Sequence, residues 1–526
     1  MAAWAVCGFV PGDRSPGQCA ERCLELAMKA RHFLWGAIAQ VLSRAIMLLS
    51  GLGLFLYLSR SLGPVGYGLY SVAFSVNFWW VTVTDTVMTS SLVPMLAGHP
   101  RGREYVRTGV CLSVLAGGIL AAGAWISAPW VASLLQSPGL VPPLRCLVFA
   151  IPFQILSHQC LLCLVGEGKF VSAASSFSLV WLSRLLLAWC LVGAGWGPPG
   201  AALAIPASFV LQLVLCQFLG CHWIWHSGRM SLREWWAHSR DLAAGALFQG
   251  LLFGSELPLV KRFVSEAEVG YYAAAQNLGL PILAPVLSLL PVFQQRLSHL
   301  HQVGDKPAFL RQSNLVVRVL ICISVATLTI SLLTRELGLL LFGNRYEQSA
   351  LIGRILLWEM AGRIVMSGTA CILTAHGDRQ RISRLFSIVT LPLLLLYPLV
   401  LGVGPRWWSG ENTPPLLEWG AMISLFRTLV LVGLVFHEAR SLTGVSIPGG
   451  TLARALIAGA VAGACVAWGP GSEWLVPQWL GQGWAGQGWA VLGQLFLLLG
   501  LYTGLLFLLG ERWPELWQPV ERRDGV

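Results

Sequence analysis

The sequence predicts an all-α integral membrane protein with fourteen transmembrane helices. Hydrophobic residues make up 56% of the 526 residues and charged residues only 11%, whereas soluble proteins carry roughly 25% charged residues. A transmembrane helix needs about 20 mostly apolar residues, and fourteen such runs can be placed along the chain. The run LPLLLLYPLVL at 391–401 lacks the alternation of apolar and polar residues that marks a membrane β-barrel.

Short loops connect the fourteen runs and leave no room for a soluble domain on either side of the membrane. In chain order the predicted helices are residues 34–58, 68–96, 108–135, 144–165, 172–195, 200–224, 241–260, 269–295, 312–334, 350–375, 385–404, 417–436, 452–470 and 487–510.

The basic residues are concentrated on one side of the predicted membrane protein. Of the 35 lysines and arginines, 21 lie in the two tails and the even-numbered loops, 6 lie in the odd-numbered loops, and 8 lie within helices. Positive charge marks the cytoplasmic side, so both termini are predicted to be cytoplasmic. The net charge of +11 is therefore read as a topology signal, and no nucleic-acid partner is expected.

An internal repeat divides the chain. The junction SRSLGPVGYGLYSVAFSV at 59–76 is similar to VKRFVSEAEVGYYAAAQNL at 260–278. A shift of 202 residues aligns Arg60 with Arg262, Gly68 with Gly270 and Tyr70 with Tyr272, and a shift of 209 aligns Arg145 with Arg354 and Gly168 with Gly377. The copies lie six helices apart, so they have the same orientation and form parallel repeats, which are common in transporters.

The repeat predicts two pseudo-symmetric six-helix lobes with a seam between them. The expected order is a cytoplasmic tail (1–33), a first lobe of helices 1–6 (34–224), a cytoplasmic linker (225–240), a second lobe of helices 7–12 (241–436), two additional helices (452–510) and a cytoplasmic tail (511–526).

The first junction predicts a hairpin at the outer face. Gly63 and Pro64 should stop the first helix, and the Arg60 guanidinium should reach the lipid headgroups. Tyr67 and Tyr70 should begin the second helix in the interfacial aromatic belt.

These segments resemble a known family. LSRSLGPVGYGLYSVAFSV (58–76) is similar to the first loop of the Wzx-type polysaccharide flippases of the MOP superfamily, and VGYYAAAQNL (269–278) is similar to their second-lobe counterpart. FGNRYEQSA (342–350) and the helix ends GEGK (166–169) and HGDR (376–379) also fit. The resemblance covers about residues 35–440.

The resemblance implies a MATE-like fold around a central cavity in a bacterial inner membrane. It implies transport of a polyprenyl-diphosphate-linked oligosaccharide from the cytoplasmic to the outer leaflet, with the lipid tail left in the bilayer. Partners would be membrane lipid, a possible coupling proton or sodium ion, and possibly a polysaccharide polymerase. The acidic residues usual in the first loop are replaced by Val65 and Gly66, so this loop gives no indication of ion coupling.

Charged side chains inside the helices are the candidate site residues, because a charge at the bilayer centre costs about 2.5–3.5 kcal/mol on insertion scales. A diphosphate needs cations, and the planar fork of arginine suits phosphate oxygens. Arg44 is the first candidate for this contact, followed by Arg363 and then by Arg184 and Arg427.

Apart from Asp241 and Glu418, which stand in the first two positions of their helices, three acidic residues lie within the predicted helices. Glu359 precedes Arg363 by four positions, so the two share a helix face and form either a buried pair or a charged cavity wall. Glu256 could pair with Arg44 across the seam or bind a coupling proton. Asp85 could be a coupling site, although a polar helix end is the simpler interpretation.

No metal, cofactor or catalytic site is expected. Cys160 and Cys163 form a CxxC pair beside His158, but a zinc site would need a second ligand pair, so packing is the preferred interpretation. The sequence has no glycine-rich phosphate loop, HExxH or GxSxG motif. The prediction is a transporter and not an enzyme.

Three alternatives to an oligosaccharide flippase remain open from the sequence. The first two are a multidrug or ion antiporter, which would favour a carboxylate-based ion site, and a lipid II flippase, which would share a cationic cavity. The third is a polysaccharide polymerase or ligase, which would carry a large outer loop with catalytic groups. The short outer loops and the repeat favour a transporter.

The basic residues make the topology testable with alkaline phosphatase fusions, because this enzyme is active only outside the cytoplasm. Fusions after Arg107, Arg240, Arg384 and the C-terminus should be inactive, and a fusion after Arg345 should be active as the matched control. Phosphatase activity at the C-terminus would contradict the even number of helices.

Overall fold

The computed structural model describes residues 16–89, 102–221, 233, 254–377, 379–407, 416–468 and 484–509. Throughout these residues the regular secondary structure is helical. The helix Pro16–Thr89 is broken at Gly63, and we call its two parts α1 and α2. The further helices are α3 Gly102–Leu134, α4 Val141–Val148, α5 Ala150–Gly166, α6 Phe170–Gly193, α7 Gly197–Cys216, α8 Glu256–Lys261, α9 Glu266–Asn277, α10 Leu280–Val303, α11 Lys306–Ile330, α12 Thr334–Phe342, α13 Ser349–Ala375, α14 Arg379–Trp407, α15 Leu416–Thr443, α16 Gly449–Trp468 and α17 Trp484–Leu508.

Ten helical segments of the described chain are long and apolar enough to cross a membrane, where α1 with α2, α4 with α5 and α11 with α12 each count as one segment; Gly449–Cys465 is a shorter apolar helix. The chain is therefore a multi-pass membrane protein, in which each helix satisfies its own backbone hydrogen bonds where water is absent. The predicted span 241–260 lies mostly outside the described residues. The exact number of fourteen spans stays a prediction.

The first junction breaks the helix at the expected place. Gly63 has φ 65° and ψ 179°, which lies in the positive-φ region that glycine adopts without the steric cost of a side chain. Pro64 then opens α2, because its fixed φ and missing N–H suit the first turn of a helix.

Matching glycines also end matching helices in the two halves of the chain. Gly168 follows α5 with φ 75°, and Gly377 follows α13 with φ 95°. Both therefore close their helices in the left-handed conformation typical of a glycine just past a helix end. The sequence match at a shift of 209 thus corresponds to the same local geometry in both places.

The two junctions pack directly against each other. A Cβ added at Gly68 would overlap the backbone oxygen of Glu266, and a Cβ added at Gly270 would overlap the backbone oxygen of Pro64. The contact is reciprocal, because Glu266 stands 202 residues after Pro64 just as Gly270 stands 202 residues after Gly68. Only a residue without a side chain allows the backbones to approach this closely.

Hydrogen bonds between the two halves surround this glycine contact. Arg60 donates from Nη2 to the carbonyl of Leu340 at 2.8 Å and from Nε to that of Leu341 at 3.1 Å. Tyr346 donates to the carbonyl of Ser59 at 2.9 Å. Ser137 donates to the Glu266 carboxylate. The first half is thereby tied to α12, to the turn that follows it and to the start of α9.

The positions expected for Tyr67 and Tyr70 in the interfacial belt are corrected by their burial. Arg60 binds backbone carbonyls of the second half and stays exposed, and its contact with lipid headgroups stays a prediction. Tyr67 is fully buried and Tyr70 is 4% exposed. Asn277 donates to the Tyr67 hydroxyl at 2.5 Å, which supplies the partner that a buried phenol needs.

The glycine contact predicts a loss of stability on adding a methyl group. We expect Gly270→Ala to destabilise the protein by about 1–3 kcal/mol, the usual cost of overpacking, because the Pro64 carbonyl belongs to the backbone and cannot rotate away. The matched control is Gly118→Ala in α3, where a Cβ would meet nothing within 4 Å. Thermal unfolding of both purified variants is the measurement, and equal midpoints would contradict the contact.

Candidate functional site

The second half of the chain contains a buried network of two arginines and two glutamates. Glu256 begins α8, Glu359 and Arg363 lie on α13, and Arg427 lies on α15. The side chains of Glu256 and Glu359 are 1% exposed, that of Arg427 is fully buried and that of Arg363 is 12% exposed. Two positive and two negative groups make this network neutral as a whole.

Glu256 holds the network together. Its Oε2 accepts from Arg427 Nη2 at 2.8 Å and from Arg363 Nη2 at 3.0 Å. Its Oε1 accepts from the hydroxyl of Tyr272 at 2.5 Å. A buried carboxylate is tolerated when its lone pairs are filled by donors in this way.

Glu359 completes the network from α13. It accepts from Arg363 Nε, as their four-residue spacing predicts, and its Oε1 also accepts from Thr428 at 2.8 Å. Arg427 Nη2 lies 3.8 Å from the same oxygen. Arg427 also donates to Ser424 at 3.1 Å.

These contacts change the expectations for Glu256 and Arg427. Glu256 pairs with arginines of its own half and not with Arg44 across the seam. Arg427 is enclosed between carboxylates, so in this structure no substrate phosphate can reach it. Arg427 pairs with carboxylates because a guanidinium loses its hydration on burial, and an apolar interior alone does not compensate for that loss.

A second group of charges lies in the first half. Asp85 on α2 and His158 on α5 form a pair in which His158 Nδ1 lies 2.8 and 3.0 Å from the two carboxylate oxygens. The side chain of His158 is 39% exposed and that of Asp85 is 17% exposed. This pair, unlike the network of the second half, has an open face.

Arg44 on α1 belongs to the same region. It is exposed, its guanidinium carbon lies 4.6 Å from the centre of the Phe177 ring, and its charge acts on His158. Within the described part of the chain no carboxylate forms an ion pair with Arg44. Its other contact is with the sulfur of Met47 at 4.0 Å.

The role of His158 was missed by the sequence analysis, which noted it only as a neighbour of the CxxC pair. Asp85 and His158 are 73 positions apart. The usable signal was that each is the only Asp, Glu, Lys, Arg or His in its helix, and such residues tend to pair with one another inside a membrane.

Arg184 does not join either group of charges. It is 6% exposed and lies between α6 and α7, where Nε donates to Ser208 at 3.4 Å. Its guanidinium carbon lies 5.0 Å from the ring centres of Trp181 and Phe209. Cation–π contacts of this kind replace part of the lost hydration.

The cysteines beside His158 pack in the interior. Cys160 and Cys163 are fully buried in an apolar cluster with Cys216 and Cys221, and Cys221 contacts the carbonyl of Cys160. Among the described residues, no group of three or more His, Cys, Asp or Glu side chains is arranged to hold a metal ion.

The network predicts that removing one partner is worse than removing two. Arg427→Met should destabilise the protein by about 3–5 kcal/mol because it leaves the Glu256 carboxylate buried with less compensation. The double variant Glu256→Gln/Arg427→Met should recover part of this loss. Denaturant unfolding in detergent measures both.

Arg354→Met is the matched control for this comparison, since Arg354 is exposed on the same helix as Glu359; it should change stability by no more than about 0.5 kcal/mol. A double variant less stable than Arg427→Met alone would show that the carboxylate stabilises the fold by other means.

Comparison with solved structures shows the fold. The structure of the lipid II flippase MurJ in an inward closed conformation superposes with a TM-score of 0.70 at 12% identity, covering 90% of this chain and 98% of that one. An inward-facing multidrug resistance MATE family transporter of the MOP superfamily gives 0.61 at 15% identity, covering 78% and 98%. A MOP superfamily transporter from Pyrococcus furiosus gives 0.56 at 14% identity, covering 78% and 95%.

Sequence comparison gives the family. No curated protein sequence matches the chain. The sequence profile described as polysaccharide biosynthesis protein matches residues 32–296, which is half of the chain and contains both junctions. The chain belongs to the polysaccharide biosynthesis protein family and has the fold of the MOP superfamily transporters.

Proposed function

We propose that this protein flips a polyprenyl-diphosphate-linked oligosaccharide from the inner to the outer leaflet of a bacterial inner membrane, as a transporter and not an enzyme. The transport unit consists of two lobes, residues 34–224 and 241–436, within fourteen spans. The two lobes alternate between access from the cytoplasm and access from outside. The family, the fold and the internal repeat support this proposal.

The observation that carries the proposal is the contrast between the arginines. Arg363 and Arg427 are neutralised by glutamates inside the second half. Arg44 is exposed and contacts an aromatic ring, so its charge remains available to an anion. An exposed cation within a membrane helix is costly unless it faces a water-filled space. Arg44 is therefore the proposed diphosphate contact, with the partly exposed Arg363 second.

The contacts between the halves fit the same proposal. They lie at residues 59–68, 135–139, 261–270 and 340–346. On the topology predicted from the basic residues, these loops lie outside the cell. In the proposed cycle these contacts would belong to a state closed to the outside, which would receive a substrate made in the cytoplasm. Arg60 and Tyr346 would have to release their carbonyl partners for the lobes to open outward.

The acidic candidates differ in their suitability for coupling. Glu256 is occupied by two arginines and a tyrosine, so we assign it a structural role. Asp85 has an exposed histidine partner and remains the candidate for coupling to a proton. A sodium ion and a polysaccharide polymerase are further possible partners implied by the proposed pathway.

Replacement of Arg44 tests the proposal in cells. Arg44→Ala should reduce surface polysaccharide roughly tenfold or more, as expected for loss of a hydrogen bond to a charged group, while the protein still accumulates in the membrane. Arg44→Lys should rescue only part of the export because an ammonium lacks the bidentate geometry. Surface polysaccharide is measured in cells lacking the chromosomal copy.

The control for this experiment is Arg335→Ala, which removes an exposed arginine that pairs with Glu347 on the surface. Such pairs contribute little to stability, so export should be unchanged. Normal export by Arg44→Ala would remove this residue from the substrate site and with it the main support for a diphosphate cargo.

Transport of lipid II is the second candidate, because MurJ covers 90% of this chain with the higher TM-score. Lipid II also carries a polyprenyl diphosphate, so Arg44 would serve both cargoes. Complementation of cells depleted of their lipid II flippase separates the two: growth would identify lipid II as a cargo, and failure alongside restored surface polysaccharide would identify the oligosaccharide.

A further inference from the structure

The pair of Asp85 and His158 has an orientation that restricts what its open face can bind. Both carboxylate oxygens lie within 3.0 Å of His158 Nδ1. An ionised carboxylate only accepts hydrogen bonds. Nδ1 therefore carries a hydrogen and donates a hydrogen bond to the Asp85 carboxylate. The remaining ring nitrogen, Nε2, accepts when the imidazole is neutral and donates only when the ring is protonated.

We propose that His158, held by Asp85, forms with Arg44 a proton-linked diphosphate site in which the headgroup and one proton bind together. This inference rests on the proposed function and names a second contact and its regulation. His158 would donate from Nε2 to a phosphate oxygen, and Asp85 is a positioning residue that orients the ring. The proton comes from the solvent and forms an N–H bond at Nε2, and no other covalent bond changes.

The charge of the three side chains explains the linkage. With neutral His158, the positive Arg44 and the negative Asp85 sum to zero. Protonation of His158 makes the sum positive by one charge, so an anionic diphosphate is then attracted and finds a second donor. If protonation of His158 raises the affinity for diphosphate, bound diphosphate must by the same factor raise the affinity of His158 for the proton.

Among the described residues, two charged side chains act on His158. Asp85 faces it from α2 and Arg44 acts on it from α1. Asp85 stabilises the imidazolium and Arg44 opposes it, so a bound anion that screens Arg44 would shift the balance towards the charged ring. Both the ring and Arg44 retain exposed surface.

The geometry of the second half makes the assignment to His158 selective. Glu256 and Glu359 have arginine partners whose charge does not change in the physiological pH range. Histidine is the side chain that titrates there. Of the two groups of charges described above, only the one in the first half contains a histidine.

The experiment uses the full-length protein in lipid nanodiscs and farnesyl diphosphate as a soluble probe. Titration calorimetry from about pH 5.5 to about pH 8.5, in buffers of different ionisation enthalpy, gives the affinity and the protons taken up. Affinity should fall about tenfold per pH unit once the ring of the free protein is neutral. Inorganic pyrophosphate tests binding of the diphosphate alone, and farnesol tests binding of the isoprenoid chain alone.

His158→Gln is the central variant, because glutamine keeps a neutral donor and cannot titrate. Part of the pH dependence and proton uptake comes from ionisation of the probe itself and should remain in this variant. The rest, which comes from His158, should be lost. Asp85→Asn should shift the remaining profile to lower pH, since the imidazolium loses its carboxylate. His437→Gln, which changes an exposed histidine on α15, is the matched control and should behave as wild type.

The outcomes distinguish this inference from the proposed function. If His158→Gln keeps the wild-type pH profile and proton uptake, or if Asp85→Asn leaves the profile in place, the linkage is overturned while the flippase proposal stands. If wild type does not bind farnesyl diphosphate, or if Arg44→Ala binds it as well as wild type, the diphosphate cargo itself is wrong. Unfolding midpoints show that each variant is folded before it is titrated.

Discussion

An ionised side chain inside a membrane must be neutralised by a partner or hydrated by a water-filled space. The two halves of this protein meet that constraint differently. In the second half, Glu256 and Glu359 neutralise the buried Arg427 and the partly exposed Arg363. In the first half, Arg44 and the Asp85–His158 pair remain partly exposed. The first solution yields a rigid neutral core, and the second leaves charge available for a ligand.

The proposed alternating-access mechanism would place different demands on these two groups of charges. A lobe that moves as a unit would need its internal charges to stay paired throughout the proposed cycle, and all the partners of Glu256 lie in its own half. The charges proposed to bind the cargo would be exposed in turn to each side. Their placement mainly in one half would avoid making and breaking ion pairs across the seam at every step.

The fold was largely predictable from sequence because the apolar runs are long and lipid permits few architectures. The break at Gly63 and the helix ends at Gly168 and Gly377 followed from local rules for glycine and proline. The site was less predictable. Helical spacing revealed that Glu359 and Arg363 meet, but Glu256 lies 107 positions from Arg363 and His158 lies 73 from Asp85. Such partners depend on how distant helices pack together, and local sequence patterns do not reveal that packing.

The junctions also show why the repeat survives in some places and not in others. A helix face towards lipid accepts almost any apolar side chain, so matching positions there need not keep the same residue. Gly68 and Gly270 lie against the backbone of the opposite junction, where even a methyl group would overlap. Arg60 holds backbone carbonyls of the other half. At the junctions, Gly68, Gly270 and Arg60 thus retain the repeat where the two halves meet, and a reciprocal contact of this kind is what a two-fold relation between the halves requires.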